Sequence, residues 1–234
     1  MSIHLPPDWQ PWRRSSPLGE ARPTKTDLAE AAATGLQLDD VLPYPTDEEN
    51  AHFLRLLIVG TNPSPWAAAV QAPFARPGNR FWKSLYEAGI TDGLVNDSNG
   101  LSRADEYMLA TRGVGITNIV SRPSSRADEL SRDELRAGRS HLITRVRMLR
   151  PHAAAFTGIT AFRTAFEQPK AKLGVQDTHD IAGWPEDTQL WVVPDPSGLN
   201  AHESVSSLAE KWQAVWSSSA TGQQTRNDPR TTKE

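Results

Sequence analysis

The chain has 234 residues, a net charge of −3 and 38% apolar residues, enough to bury the core of one domain with tails but too little for two full domains. It has no cysteine, which excludes disulfides, thiolate metal sites, iron–sulfur clusters and a cysteine nucleophile, and its six scattered histidines form no metal-ligand spacing. No apolar run approaches the roughly 18–20 residues that cross a bilayer, and the start, Met1-Ser2-Ile3-His4-Leu5-Pro6-Pro7-Asp8, lacks a basic-then-apolar leader. The expectation is a soluble intracellular protein with no membrane partner, no cofactor and no metal.

Residues 1–39 are rich in proline, small and charged residues, with helical character only from Asp27 to Leu38, and read as a partly ordered N-terminal arm. Residues 40–216 read as the folded domain. Within it four β-type runs, Leu54–Val59, Gly115–Val120, Ala153–Thr157 and Leu190–Val193, alternate with helical stretches. That alternation predicts a single-domain, three-layer α/β/α fold with a short, mainly parallel sheet. Asn79 is placed to cap a helix carrying Trp82, Leu85 and Tyr86 and stopping at Gly89. Ser131 and Glu134 form a capping box for a helix whose apolar stripe, Leu135, Leu142, Val146 and Leu149, ends before Pro151. A last helix carries Val205, Leu208, Trp212 and Val215 on one face. Residues 217–234, almost devoid of apolar side chains, read as a disordered C-terminal tail.

Three polar turns follow three of the strands: Gly60–Pro63, Ile119–Pro123 and Asp195–Asn200. In an open α/β sheet they share the carboxyl edge, where ligands bind. Asn62 either caps its own turn or faces a ligand. Phe74, in the segment between the first turn and its helix, either plugs the core or offers a ring on which a planar ligand stacks. Residues 121–150 carry eight arginines against four acids, a local charge of +4 that suits either a solvated helical face or a phosphate backbone.

Gly60-Thr61-Asn62-Pro63, then Pro73-Phe74-Ala75-Arg76-Pro77-Gly78-Asn79-Arg80-Phe81-Trp82, and far downstream Pro194-Asp195-Pro196-Ser197-Gly198-Leu199-Asn200 resemble, in order, the motifs of mismatch-specific uracil/thymine-DNA glycosylases of the uracil-DNA glycosylase superfamily. The likeness extends to Arg22-Pro23-Thr24-Lys25, Gly115–Val120 and Ala127–Leu135, covering about residues 22–216. It implies a monofunctional hydrolase that removes uracil, or a related damaged base, mispaired with guanine in double-stranded DNA. It also implies a monomer in a bacterial cytoplasm, associated with the nucleoid. On this resemblance Asn62 is the catalytic residue, and Thr61, Ser64, Phe74 and Asn79 form the base pocket. Leu199 is the wedge that fills the place of a flipped base, with Ser197, Gly198 and Asn200 beside it and Arg76 and Arg80 on phosphates.

The chain departs from the family pattern at three positions. Thr61 adds a hydroxyl beside the expected pocket, Ser64 stands where a turn glycine is usual, and Asp195 replaces an asparagine and sets a carboxylate near the DNA. The departures leave two other outcomes open, a lesion-binding protein without turnover and a relative that prefers hypoxanthine. A small-molecule enzyme on a nucleotide-binding sheet is weaker, because neither G-x-G-x-x-G nor a Walker lysine is present.

Overall fold

The four apolar runs become strands in a computed structural model that describes residues 5–44 and 54–226. They are β1 (Leu56–Gly60), β2 (Val114–Asn118), β3 (Ala153–Thr157) and β5 (Gln189–Val193). The sheet order is β2-β1-β3-β5-β4, and all neighbours are parallel except β4 (Gly174–Gln176), which runs antiparallel to β5 at the edge. β4 was not expected from the sequence. Its three residues are too few to show a period, and partly exposed Gly-Val-Gln carries no strand signal.

β1 lies inside the sheet and is buried at every residue, as a strand covered on both faces must be. Its side chains alternate. Leu56 and Ile58 join Phe81, Leu85, Leu208 and Trp212 on one face, while Leu57 and Val59 join Leu142, Val146, Phe156 and Phe162 on the other. The first group draws on α3 (Phe81–Glu87) and α7 (Val205–Arg226), the second on α5 (Arg132–Leu149) and α6 (Ile159–Ala165). This is the three-layer α/β/α arrangement that the alternation predicts. The Ser131–Glu134 capping box opens α5 with both reciprocal bonds made.

Two expectations change at the ends of the chain. The arm helix α1 spans Lys25–Ala33 rather than Asp27–Leu38: a Thr24–Asp27 capping box starts it early, and Gly35, at φ +63°, follows its end. The arm is strapped down by more than this helix. Arg13 is buried, donates to the Gln71 carbonyl at 2.5 Å and pairs with buried Glu106 at 3.3 Å. Val41 bridges to Ile116 on the outer side of β2. At the other end α7 continues past residue 216 to Arg226, so residues 217–226 are helical where a disordered tail was expected. A local anchor explains part of this: Arg55 lies 3.4 Å from the Trp216 ring centroid and donates to Trp216 O and to the hydroxyl of buried Ser219. Residues 227–234 lie outside the described residues. No helix among the described residues is long and apolar enough to cross a membrane.

Candidate active site

Three turns at the carboxyl edge of the sheet are wired together through their backbones. Ile119 N donates to Gly60 O at 2.9 Å, Val120 N to Thr61 O at 3.0 Å and Ser124 N to Pro63 O at 3.1 Å, so the β1 and β2 turns hold each other. Arg80 N donates to Pro196 O at 2.9 Å, which ties the start of α3 to the turn after β5. Between them is a hollow of about 120 Å³ whose wall includes Asn62, Phe74, Asn79, Asn118, Ser124 and Asp195. This is below the roughly 300–1,000 Å³ of pockets that enclose drug-sized ligands, and suits one small planar ring.

Asn62 is held by its nitrogen. Nδ2 donates to the Ser124 hydroxyl at 2.8 Å and to Pro63 O at 3.0 Å, and the Ser124 hydroxyl passes its own proton to Arg126 O at 2.6 Å. That chain of donors fixes which end of the amide is which. With both N–H groups engaged, the carbonyl Oδ1 is what Asn62 offers the hollow. Asn79 is the complement. Its Oδ1 accepts from Phe81 N at 2.9 Å, which supports the start of α3 from one residue before the N-cap position, now taken by Arg80. Its Nδ2 has no partner among the described residues and remains a donor. Asn118, at the end of β2, completes the set with an amide that makes no side-chain hydrogen bond among the described residues.

Phe74 lies flat on Phe81, with centroids 3.8 Å apart and planes at 22°. Its backbone sits at φ +60°, costly for an aromatic residue by about 1–3 kcal/mol, and such strain tends to gather at functional sites. Gly60 makes this closure feasible. A Cβ there would collide with Asn118 Oδ1 and approach the Phe74 ring to 3.3 Å.

The three departures are all used by the fold. The Thr61 hydroxyl donates to Thr157 O at 3.3 Å, spending its proton across the β1–β3 turns instead of presenting it to a base. The Ser64 hydroxyl is the N-cap of α2 (Pro65–Val70) and accepts from Ala67 N at 3.1 Å, so it opens a helix while Ser64 also stands, with Thr61, in the wall of the hollow. Asp195 accepts from Ser197 N at 2.9 Å and so shapes the turn that carries Leu199. Asp195 reaches solvent at the mouth of the hollow, yet protein atoms crowd its carboxyl; this desolvation raises its pKa, against the opposing pull of the Ser197 N–H.

Among the described residues Leu199 is the most exposed large apolar side chain, at 74%. The loop beneath it is fastened by Arg80, whose Nη1 donates to Ser197 O at 3.1 Å and Asn200 O at 3.0 Å. Arg80 was expected on phosphates; here its Nη1 is used to fasten this loop. Gly198 abuts Gly78, where an added Cβ would lie 2.6 Å from the carbonyl oxygen, so the glycine is required for packing inside the protein before any DNA arrives. Arg76 is exposed and makes no ion pair among the described residues.

The basic stretch 121–150 also differs from its sequence reading. Six of its eight arginines are ion-paired: Arg122 with Glu134, Arg126 with Asp128, Arg136 with Asp133 and Glu167, Arg139 with Glu167, Arg145 with Asp40, and Arg150 with Asp187. Asp40, Glu167 and Asp187 come from outside the stretch, which is why a local charge count overstates the patch. Sequence reasoning also missed Asn118, Ser124, Thr157 and Leu38 in the wall of the hollow. Ser124 was within reach, because the turn after β2 had been singled out but ended one residue short of it.

A mainly parallel sheet thus gathers, at its carboxyl edge, three asparagines and an aromatic ring around one small hollow, with an exposed leucine on the neighbouring turn. A model of the uracil DNA glycosylase superfamily matches residues 47–217, well over half of the chain, and the chain belongs to that superfamily. Membership makes it a DNA glycosylase, a hydrolase of the bond between base and sugar, with DNA as its partner.

Proposed function

We propose that the protein is a monofunctional, mismatch-specific uracil-DNA glycosylase that excises uracil, or a related damaged pyrimidine, opposite guanine. The observation that carries the reading is the orientation of Asn62: both N–H groups are tied to Ser124 and Pro63, leaving a carbonyl oxygen to accept a hydrogen bond from a water. Aimed at C1′ of a flipped nucleotide, that water supplies the oxygen of the new C1′–O bond as the C1′–N1 bond breaks, and the electron pair leaves on the pyrimidine. The water's proton passes to solvent, and the departing anion takes one up. An amide does not titrate near neutral pH, so Asn62 orients the water without acting as a strong base, and the rate depends on position and on stabilising the anion. Asn79 Nδ2 is the available donor for the pyrimidine O2. The Asn118 amide offers a donor and an acceptor that complement O4 and N3–H, and the Phe74 ring covers a face.

Leu199 would enter the duplex where the base had been, and Ser197 with Arg76 would steady the backbone. The size of the hollow favours a single ring over the fused rings of hypoxanthine. One site per chain suffices, consistent with a monomer in the bacterial cytoplasm, working at the nucleoid without cofactor or metal.

Single-turnover incubation with labelled duplexes carrying G·U, A·U, G·T or G·hypoxanthine, and with single-stranded uracil, followed by alkali, tests this. Faster alkali-dependent cleavage of G·U than of A·U is the expected result. Preference for hypoxanthine would move the protein to another branch of the superfamily, and tight binding without product would leave a lesion reader.

A further inference from the structure

Two larger hollows adjoin the base pocket, and their charges differ. One, of about 850 Å³, runs beneath Leu199 and has both signs in its wall, Asp128, Asp195 and Glu203 with Arg76, Arg126 and His202, of which Asp128 pairs with Arg126 and Glu203 with Lys211. The other, of about 500 Å³, lies between the arm helix α1 and the start of α2, and no acid lines it. Its wall is apolar, with Leu28, Ala29, Ala32, Pro65, Trp66 and Pro77, and it shares Ser64, Arg76 and Ser125 with the base pocket or its mouth.

The rim of this second groove is cationic. Leu28, Ala29 and Ala32 share a face of α1 with Lys25, one turn earlier, while Asp27 and Glu30 point to the opposite side and Asp27 is occupied in the capping box. Arg22 lies 5.9 Å over the Trp66 ring, whose indole N–H is fixed by Ser98 O at 3.1 Å. Arg22, Lys25 and Arg76 make no ion pair among the described residues, in a chain whose net charge is −3. An apolar wall for a base face or deoxyribose, a cationic rim for phosphates and a shared partition with the base pocket together fit one occupant.

We propose that the α1–α2 groove is a second DNA subsite, holding the nucleotide next to the excised one on the same strand, so that the N-terminal arm is part of the DNA-binding surface. A strand that lowers one base into the small pocket passes Ser64 and Arg76 on its way out. The acid-free groove with its unpaired cationic rim receives it, whereas in the larger groove Arg126 is already paired with Asp128 and the Asp195 carboxylate faces the strand. The proposal rests on the glycosylase reading for the identity of the strand.

The test measures the Kd of a G·U duplex by fluorescence anisotropy across a salt series, alongside single-turnover excision, for Lys25→Ala, for Ala29→Trp, which fills the groove from an exposed position, and for Lys170→Ala as a charge-matched control on the connection leading to β4. Lys25→Ala and Ala29→Trp are expected to weaken binding about three- to ten-fold, with the slope of log Kd against log salt falling by about 1 for Lys25→Ala, while excision at saturating protein stays within about two-fold. Lys170→Ala should change neither quantity. Variants that melt like the parent and bind as tightly overturn the subsite, as does a loss that Lys170→Ala reproduces. Absence of abasic product from the parent would sink the glycosylase reading alone, because the binding comparison still decides the groove. A parent chain that binds no DNA would overturn both.

Discussion

The turn after β1 and the turn after β5 face each other across one small hollow, and they are built on opposite principles. In the first, three backbone bonds clasp residues 60–63 to residues 119–124, and the Asn62 amide nitrogen spends both its hydrogens inside the protein. In the second, the bonds are gathered at the base of the loop, from Arg80 and to Asp195, while its tip presents an apolar side chain to solvent. On the proposed reading, the group that aims a water is immobilised by its own fold, whereas the group that enters a duplex is stabilised only when a partner covers it.

The most severe test of that contrast is Asn62→Ala, expected to lower single-turnover excision by about 10³-fold with little change in melting temperature or in Kd for duplex. If turnover survives, Asn62 is not the water-positioning group. Ser124→Ala probes the clasp without touching the reacting atoms: Nδ2 loses its best acceptor, the amide can turn over, and excision should fall about ten-fold on duplex and single strand alike. Leu199→Ala should cost about ten-fold on duplex and almost nothing on single-stranded uracil, since a single strand leaves no gap to fill. An equal loss on both substrates would make Leu199 part of the pocket rather than a wedge. Arg80→Ala, which removes two charge-assisted bonds from the base of the loop, should reproduce the Leu199→Ala pattern at a few-fold.

The smallest effect concerns Asp195. Its pKa is raised in the folded chain by desolvation, so the protonated carboxyl favours folding; this contribution is complete below the unfolded value of 3.8 and is lost as pH rises through the folded value. Asp195→Asn should therefore raise the melting temperature slightly at neutral pH and have little effect in acid. It should also tighten DNA binding by removing a negative charge beside the phosphates. Excision should persist; its loss would assign Asp195 a part in activating the water.

What could be read from the sequence follows from how local each cause is. Strands such as Ala153–Thr157 announce themselves because burial on both faces demands an unbroken apolar run, and the capping box at Ser131 because its partners are three residues apart. The site candidates came from turns following strands and from the family motifs, and Asn62, Phe74, Asn79 and Asp195 do meet in one wall. What escaped was set by distance along the chain. Arg145 finds Asp40 and Arg136 finds Glu167, so a patch that reads as +4 is largely neutralised by residues no local window contains. Thr61, Ser64 and Asp195 do line the hollow, but their structural partners, Thr157 O, Ala67 N and Ser197 N, could not be read from the motifs.

One more consequence follows from Leu38 of the arm and Ser197 of the last turn sharing the wall of the base pocket. The two lie near opposite ends of the described chain, and β1 between them pairs with β2 and β3, both synthesised well after it. Contacts so distant in sequence form late, after the loops between them have closed. During translation, a ribosome-bound chain lacks a finished pocket until the segment beyond β5 has emerged, so incomplete products carry the arm without a complete site.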